Sequence, residues 1–146
     1  MKPHQLTRKI IKIFGQHPNV YDVLDYYNIL LIKINAKDFM AGYRYIKRTR
    51  VIWINQNLDD NLKRCVLWHE IGHALMHRTV NCFYMANRTR LRTMQYEVEA
   101  EQFVADLLLP EQIDDELEGK TSQEIAAYYG VTLNLVDMKW GNNFKK

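Results

Sequence analysis

The chain has 146 residues, a length suited to one domain with its own hydrophobic core. Apolar residues make up 47% and charged residues 25%, as in an ordinary soluble globule, and no apolar run approaches the roughly 20 residues needed to cross a bilayer, which excludes a membrane-spanning protein. The net charge of +3 is unevenly distributed, because residues 1–64 carry 12 Lys and Arg against 5 Asp and Glu, whereas residues 97–118 carry 9 acids and no base.

The first half of the chain predicts two short helices followed by three strands. Residues 7–16 have amphipathic helical spacing, and Asn19 is placed to cap a second helix through residue 27. The period then changes, and runs rich in β-branched and aromatic residues predict strands at 29–34, 43–47 and 51–54. A hairpin turn is expected at 48–50. Three strands between helices predict a small antiparallel or mixed sheet.

The next segment contains His69-Glu70-Ile71-Gly72-His73, an H-E-x-x-H pattern. The apolar spacing of its flanks predicts a helix, with Asp59 or Asp60 at its start and no Pro across 61–78. On a helix, positions i and i+4 share one face, so both imidazoles can reach one ion. The Glu70 carboxylate then lies at the edge of the site, where it can take a proton from water.

Residues 79–91 predict a loop on the surface, and 93–109 predict a long helix closed by Pro110. Three shorter helices are expected at 111–117, 121–129 and 133–140, the second opened by the capping box of Thr121 and Glu124. Residues 141–146 predict a flexible tail. The whole chain of residues 1–146 is expected to form a single α+β domain.

A catalytic zinc site needs a third protein ligand besides the two imidazoles. A histidine six residues after His73 would fall at Thr79, so that arrangement is excluded. His77 lies a full turn beyond His73, too far along the helix axis to share the ion, so we expect it behind the ligands or at the surface. The remaining candidates are carboxylates on the next predicted helix. We select Glu99, which borders the apolar stripe and stands beside small Ala100, with Glu97 and Glu101 as alternatives.

The run from Val51-Ile52-Trp53-Ile54-Asn55, through the H-E-x-x-H helix, to Glu99-Ala100, Phe103 and Leu108-Leu109-Pro110 resembles the ImmA/IrrE family of metallopeptidases of bacteria, prophages and mobile elements. The resemblance spans roughly residues 20–140. It implies a zincin-like domain in which a small three-stranded sheet packs with helices, the motif lies on a central helix and the third ligand comes from the following helix. It also implies that His69, His73 and Glu99 bind one Zn²⁺ and that Glu70 is the catalytic residue.

The family resemblance further implies a protein substrate, a helix-turn-helix transcriptional repressor whose cleavage derepresses phage, mobile-element or stress genes. We expect a cytoplasmic location and neither membrane nor direct nucleic-acid binding. Mn²⁺ or Fe²⁺ are alternatives to zinc. Candidate residues for stabilising the oxyanion are Tyr84, Tyr96 and His77. The strands at 43–47 and 51–54 are candidate edges along which a substrate could extend.

Three rival hypotheses remain open from sequence. Aromatic and basic residues alternate through 43–50, as in single-strand nucleic-acid binders, although an exposed hairpin with a charged edge is the simpler interpretation. Residues 121–140 mimic a helix-turn-helix, but their second helix carries Lys139 as its one base. A third possibility is a zinc-bearing protein that binds a repressor, or acts in a toxin–antitoxin pair, without cleaving.

Cys65 could be a metal ligand, but a buried thiol is favoured.

Overall fold

A computed structural model describes residues 1–80, 82–85 and 94–141 of the chain, and within these residues it contains six α-helices and one sheet of four strands. In chain order the elements are α1 (Pro3–Phe14), α2 (Val20–Tyr26), β1 (Ile29–Ile34), β2 (Phe39–Ile46), β3 (Thr49–Asn55), α3 (Asp60–Met76), β4 (Cys82–Met85), α4 (Met94–Leu108), a 3-10 turn (Asp115–Leu117), α5 (Ser122–Tyr129) and α6 (Leu133–Trp140). The prediction of an α+β fold is confirmed.

The sheet has the order β1-β3-β2-β4 and is mixed, as the sequence predicted. β1 runs parallel to β3, with Ile29 opposite Arg50 and Ile34 opposite Asn55. β2 is antiparallel to both β3 and β4. The β2–β3 turn consists of Lys47 and Arg48, whose φ angles are 47° and 64°. Positive φ at both positions is typical of a two-residue hairpin turn, because the twist of that turn matches the twist of the two strands. The turn therefore lies one residue earlier than expected.

The sheet departs from the prediction in two ways. A fourth strand, β4, lies inside the segment 79–91 that was expected to be a loop. Because β3 is paired on both sides, the expectation that 51–54 offers an open edge to a substrate was wrong. β2 pairs with β4 only from Phe39 to Tyr43 among the described residues, so most of 43–47 lies beyond that pairing. The edges of the described sheet are β1 and β4.

The motif helix α3 runs through the centre of the domain. It begins after Asp59, whose side chain accepts the Leu62 N–H at 2.9 Å, so the expected cap is confirmed. Ten consecutive residues, Cys65 to Ala74, are buried, because β2 and β3 cover one face of the helix while α1 and α4 cover others. A helix enclosed in this way holds its polar side chains in fixed positions.

Helix α4 crosses α3 at a point where both helices carry small residues. A Cβ atom added at Gly72 would stand 3.0 Å from Phe103 Cδ2 and 3.6 Å from Ala100 Cβ. Ala100 and Phe103 are themselves fully buried. The close approach brings the first turns of α4, with their three glutamates, over the motif histidines.

The C-terminal helices form a tight pair that packs on this layer. Thr121 and Glu124 make the predicted capping box, and α5 ends at Gly130 in the left-handed conformation. Lys139, the single base of α6, binds Asp106 at 3.0 Å and Glu111 at 3.2 Å. Since its base is neutralised by acids of the same chain, α6 packs on the domain instead of presenting a recognition surface.

Some elements differ from the predictions: the helix expected at 111–117 is only the 3-10 turn Asp115–Leu117, and α1 and β2 begin four residues earlier than expected, at Pro3 and Phe39. Asn19 caps α2 as expected, accepting the N–H groups of Tyr21 and Asp22. No helix among the described residues combines the length and apolarity that crossing a bilayer requires. Residues 81 and 86–91 of the predicted loop and the tail residues 142–146 lie outside the described part of the chain.

Candidate metal centre

The two motif imidazoles meet on the face of α3 that α4 covers. His69 and His73 are one helical turn apart and almost completely buried, at 1% and 0% exposure. Their Nε2 atoms lie 3.2 Å from each other, so both rings direct the same nitrogen to one point. This is the convergence that the i, i+4 spacing predicted.

Glu97, from the first turn of α4, supplies a carboxylate oxygen at that point. Its Oε1 lies 3.0 Å from His69 Nε2 and 2.9 Å from His73 Nε2. Three ligands held by a tetrahedral zinc ion at ~2.0–2.1 Å stand about 3.3 Å apart, slightly wider than this triangle. Two imidazoles and a carboxylate are also a known donor set for catalytic zinc. These residues therefore fit a divalent ion after a small outward movement.

Glu99, the acid selected from the sequence, is directed elsewhere. Its Oε1 lies 2.8 Å from His77 Nε2, and Glu97 occupies the position between the motif rings. Helical geometry gives the reason: Glu97 precedes buried Ala100 by three residues and buried Val104 by seven, so it continues the buried stripe of α4. The i, i+3, i+7 spacing of Glu97, Ala100 and Val104 is visible in the sequence, and it could have indicated that Glu97 faces the motif helix.

Glu70 is completely buried next to the motif histidines. One ligand atom from each of His69, Glu70 and His73 lies within 4.8 Å of the other two. The carboxylate thus adjoins the point where the imidazoles meet, as the motif predicted. The cluster residues on α3 are almost fully buried, whereas Glu97 keeps 18% side-chain exposure.

Each motif imidazole has a polar partner behind it. His69 Nδ1 lies 2.6 Å from Glu101 Oε1, and Asn134 Nδ2 donates to Glu101 Oε2 at 2.7 Å. His73 Nδ1 lies 3.0 Å from His77 Nδ1. Such partners fix ring orientation and tautomer in metal sites. His77, 7% exposed, therefore lies behind the ligands, one of the two positions expected for it.

The acids and imidazoles shift each other's proton affinities. Burial opposes the charged form of His69, but its hydrogen bonds to the carboxylates of Glu101 and Glu97 outweigh burial and raise the pKa of His69 to about 10. At His73 burial dominates, and the pKa falls to about 4. Burial likewise opposes ionisation of Glu97, yet its bonds to His69 and His73 bring its pKa well below the usual value. The carboxylates around the rings thus favour a positive charge at this point, which a bound cation would supply.

The sequence also offered Cys65 as a possible ligand and two tyrosines as candidates for stabilising the oxyanion. Cys65 is buried and free, as favoured, and burial raises the pKa of its thiol. The Tyr96 ring packs on His77 with centroids 4.7 Å apart. The side chain of Tyr84 lies outside what the structure describes.

Comparison with known proteins agrees with this geometry. A peptidase family model described as the IrrE N-terminal-like domain matches residues 24–140. A protein of Bacillus phage phi105 named "Uncharacterized immunity region protein 2" is 36% identical over 136 residues, covering 91% of this chain and 85% of the relative. The metallopeptidase ImmA of Bacillus subtilis (strain 168) is 28% identical over 139 residues, covering 91% of this chain and 80% of the relative. The family match includes every residue of the candidate centre.

Proposed function

The chain belongs to the IrrE N-terminal-like peptidase family, and from that membership we propose that this metallopeptidase is a zinc-dependent endopeptidase. The observation that carries the proposal is the meeting of His69 Nε2, His73 Nε2 and Glu97 Oε1 within 3.2 Å of one another, with Glu70 beside them. In this proposal a single domain of residues 1–146 carries the catalytic centre.

In this proposal His69, His73 and Glu97 hold one Zn²⁺, and Glu97 takes the place that Glu99 had in the sequence-based hypothesis. Hydrogen-bond partners behind each imidazole leave both Nε2 lone pairs directed at the ion. Two nitrogens and one carboxylate oxygen suit zinc better than the harder cations that prefer oxygen alone. Three protein ligands leave a fourth position for the reaction.

Zinc bound here supplies a Lewis acid that polarises the scissile carbonyl and lowers the pKa of water. Glu70 accepts the proton of the attacking water and later delivers it to the leaving amine. Its position beside His69 and His73 supports that role. Burial of Glu70 keeps bulk water from competing for the proton.

The proposed substrate is a helix-turn-helix transcriptional repressor, and cleavage would derepress phage, mobile-element or stress genes. The family resemblance implies this class of substrate, and one relative is named for an immunity region of a phage. A cytoplasmic location follows from a DNA-bound substrate. We propose no nucleic-acid contact through α6, since its Lys139 is paired with Asp106 and Glu111.

Cleavage is tested by incubating the zinc-loaded chain with helix-turn-helix repressors encoded in the same genome and following their masses by intact-mass spectrometry. We expect two fragments whose masses sum to the repressor plus water, and none after chelation. The Glu70→Gln variant should retain one zinc per chain, because Glu70 is not a ligand, but cut at least about 100-fold more slowly, the usual contribution of a general base. Binding of the repressor without fragments would instead support a non-catalytic zinc protein. A Glu70→Gln variant that cuts normally would remove Glu70 from the mechanism.

A further inference from the structure

Both ring nitrogens of His73 lie within hydrogen-bonding distance of polar atoms. Its Nε2 faces the candidate metal centre, 2.9 Å from Glu97 Oε1. Its Nδ1 lies 3.0 Å from Nδ1 of His77, and Nε2 of His77 lies 2.8 Å from Oε1 of Glu99. Four hydrogen-bonding atoms therefore form an unbroken line from the centre to Glu99.

Proton positions along this line depend on one another. A neutral His73 that binds a metal through Nε2 must carry its proton on Nδ1, and that proton can only be donated to an unprotonated Nδ1 of His77. A neutral His77 then carries its proton on Nε2 and donates it to Glu99. A carboxylate only accepts hydrogen bonds, so Glu99 sets the direction of the whole line.

We propose that His77 and Glu99 are positioning residues that hold His73 in the tautomer with a free Nε2 lone pair. The inference rests on the metal site proposed above and gives a role to the acid that the sequence had suggested as a ligand. It also explains why the third histidine of the i, i+4, i+8 series lies inside the domain although it cannot reach the ion.

The surroundings hold His77 firmly in place. Its backbone N–H donates to the carbonyl of His73 at 2.7 Å, at the end of α3. The Tyr96 ring packs against its imidazole at 4.7 Å between centroids. His77 is 7% exposed and the Glu99 side chain 19%, so water competes little for the bonds between them.

The two motif histidines are supported differently. His69 donates directly to the carboxylate of Glu101, whereas an imidazole separates His73 from its carboxylate. Replacing Glu99 by Gln should therefore preserve the shape of the side chain but no longer fix the direction of the hydrogen bonds along the line. A Gln amide can donate as well as accept, which permits the reversed line with the proton of His73 on Nε2.

One test reads the tautomers directly in the unmodified protein. Two-bond ¹H–¹⁵N NMR spectra of the zinc-loaded chain should show His73 protonated on Nδ1 and His77 protonated on Nε2. A His77 ring protonated on Nδ1 would overturn the proposal, because it could not accept from His73. This test needs no variant and does not depend on turnover.

A second test measures zinc affinity by competition with a chromophoric chelator. Glu99→Gln should weaken binding about 10–100-fold, the range seen when partners behind metal ligands are lost. Asp137→Asn removes one exposed carboxylate from α6 and serves as the control, with affinity within about twofold of wild type. Unchanged affinity in Glu99→Gln would overturn the proposal.

Two variants at position 77 separate hydrogen bonding from packing. His77→Leu fills space but leaves the Nδ1–H of His73 buried without an acceptor, whereas the carbonyl of Asn in His77→Asn can still accept. Zinc affinity should therefore be higher for Asn than for Leu, and the reverse order would show that His77 acts only by packing. Circular dichroism checks the folding of each variant.

The outcomes distinguish this inference from the proposed function. A wild-type chain that binds one zinc while Glu99→Gln binds equally well overturns the positioning role and leaves the metal site intact. A wild-type chain that binds no zinc overturns both.

Discussion

At the residue scale, three glutamates within five residues of α4 contact the buried histidines in three different ways. Glu97 lies between His69 and His73, Glu99 bonds to His77, and Glu101 bonds to His69 from behind. Side chains of the same chemistry thus divide into a proposed ligand and two proposed supports. Their different distances from the Nε2 atoms lead to distinguishable losses on substitution.

Glu97→Gln should lower zinc affinity more than Glu99→Gln or Glu101→Gln. Removing a ligand takes away one of three bonds to the ion, whereas removing a support costs about 10–100-fold in affinity. Metal content after dialysis, measured by atomic emission, should fall from one zinc per chain to well below one in Glu97→Gln. Retention of one zinc there, with loss in Glu99→Gln, would restore Glu99 as the ligand.

The thiol of Cys65 supplies a pH-dependent test. Burial raises its pKa above the ordinary 9.0, so the folded chain disfavours the thiolate. The stability this contributes is complete below pH 9 and is lost as pH rises above it. In a Cys82→Ser background, alkylation by iodoacetamide at pH 8 should be slower than for free cysteine and should accelerate at higher pH or in denaturant. Alkylation at the rate of a free thiol at pH 8 would contradict the burial.

At the element scale, the candidate metal centre is formed where α3 and α4 cross closely. Each helix alone presents one part of it, the imidazoles on α3 and the carboxylates on α4. Gly72 has no side chain at the point where Phe103 and Ala100 pass, and this determines how near Glu97 comes to the rings. A side chain at position 72 should consequently impair both stability and metal binding.

Gly72→Val tests that crossing. The added atoms would overlap buried Phe103, and overpacking of this kind costs about 1–3 kcal/mol. Thermal unfolding should show a lower midpoint, and the displaced α4 should weaken zinc binding. Gly141→Ala is the control, because no atom lies within 4 Å of its new Cβ and its stability should change by less than about 0.5 kcal/mol. Equal midpoints for wild type and Gly72→Val would show that the contact is not tight.

At the scale of the whole molecule, zinc should stabilise the domain because its proposed ligands join two helices that are separate in sequence. At a free concentration of 1,000 times Kd, a ligand that binds only the folded chain adds about 4 kcal/mol. For a domain of this size the midpoint should rise by on the order of 10 °C. Differential scanning calorimetry with zinc and with chelator measures the shift. An equal rise in Glu97→Gln would place zinc elsewhere on the protein.

Features of the fold that depend on residues close together in sequence were predicted, whereas features that depend on residues far apart in sequence were not. Helix caps at Asn19, Asp59 and Thr121 were predicted because a cap depends on four neighbouring residues. The short strand β4 was missed because its pairing with β2 joins positions far apart in sequence. The assignment of 51–54 in β3 as an edge failed for the same reason, since edges depend on the order of strands in the sheet.

The sequence by itself determined the pair of imidazoles, since i, i+4 spacing on a helix places His69 and His73 on one face whatever surrounds them. It also placed an acidic helix next in the chain, with the third carboxylate among Glu97, Glu99 and Glu101. Only the tertiary structure decided among them. The rotation of α4 against α3 is set by packing at Gly72, Ala100 and Phe103, and that packing is a property of two surfaces in contact.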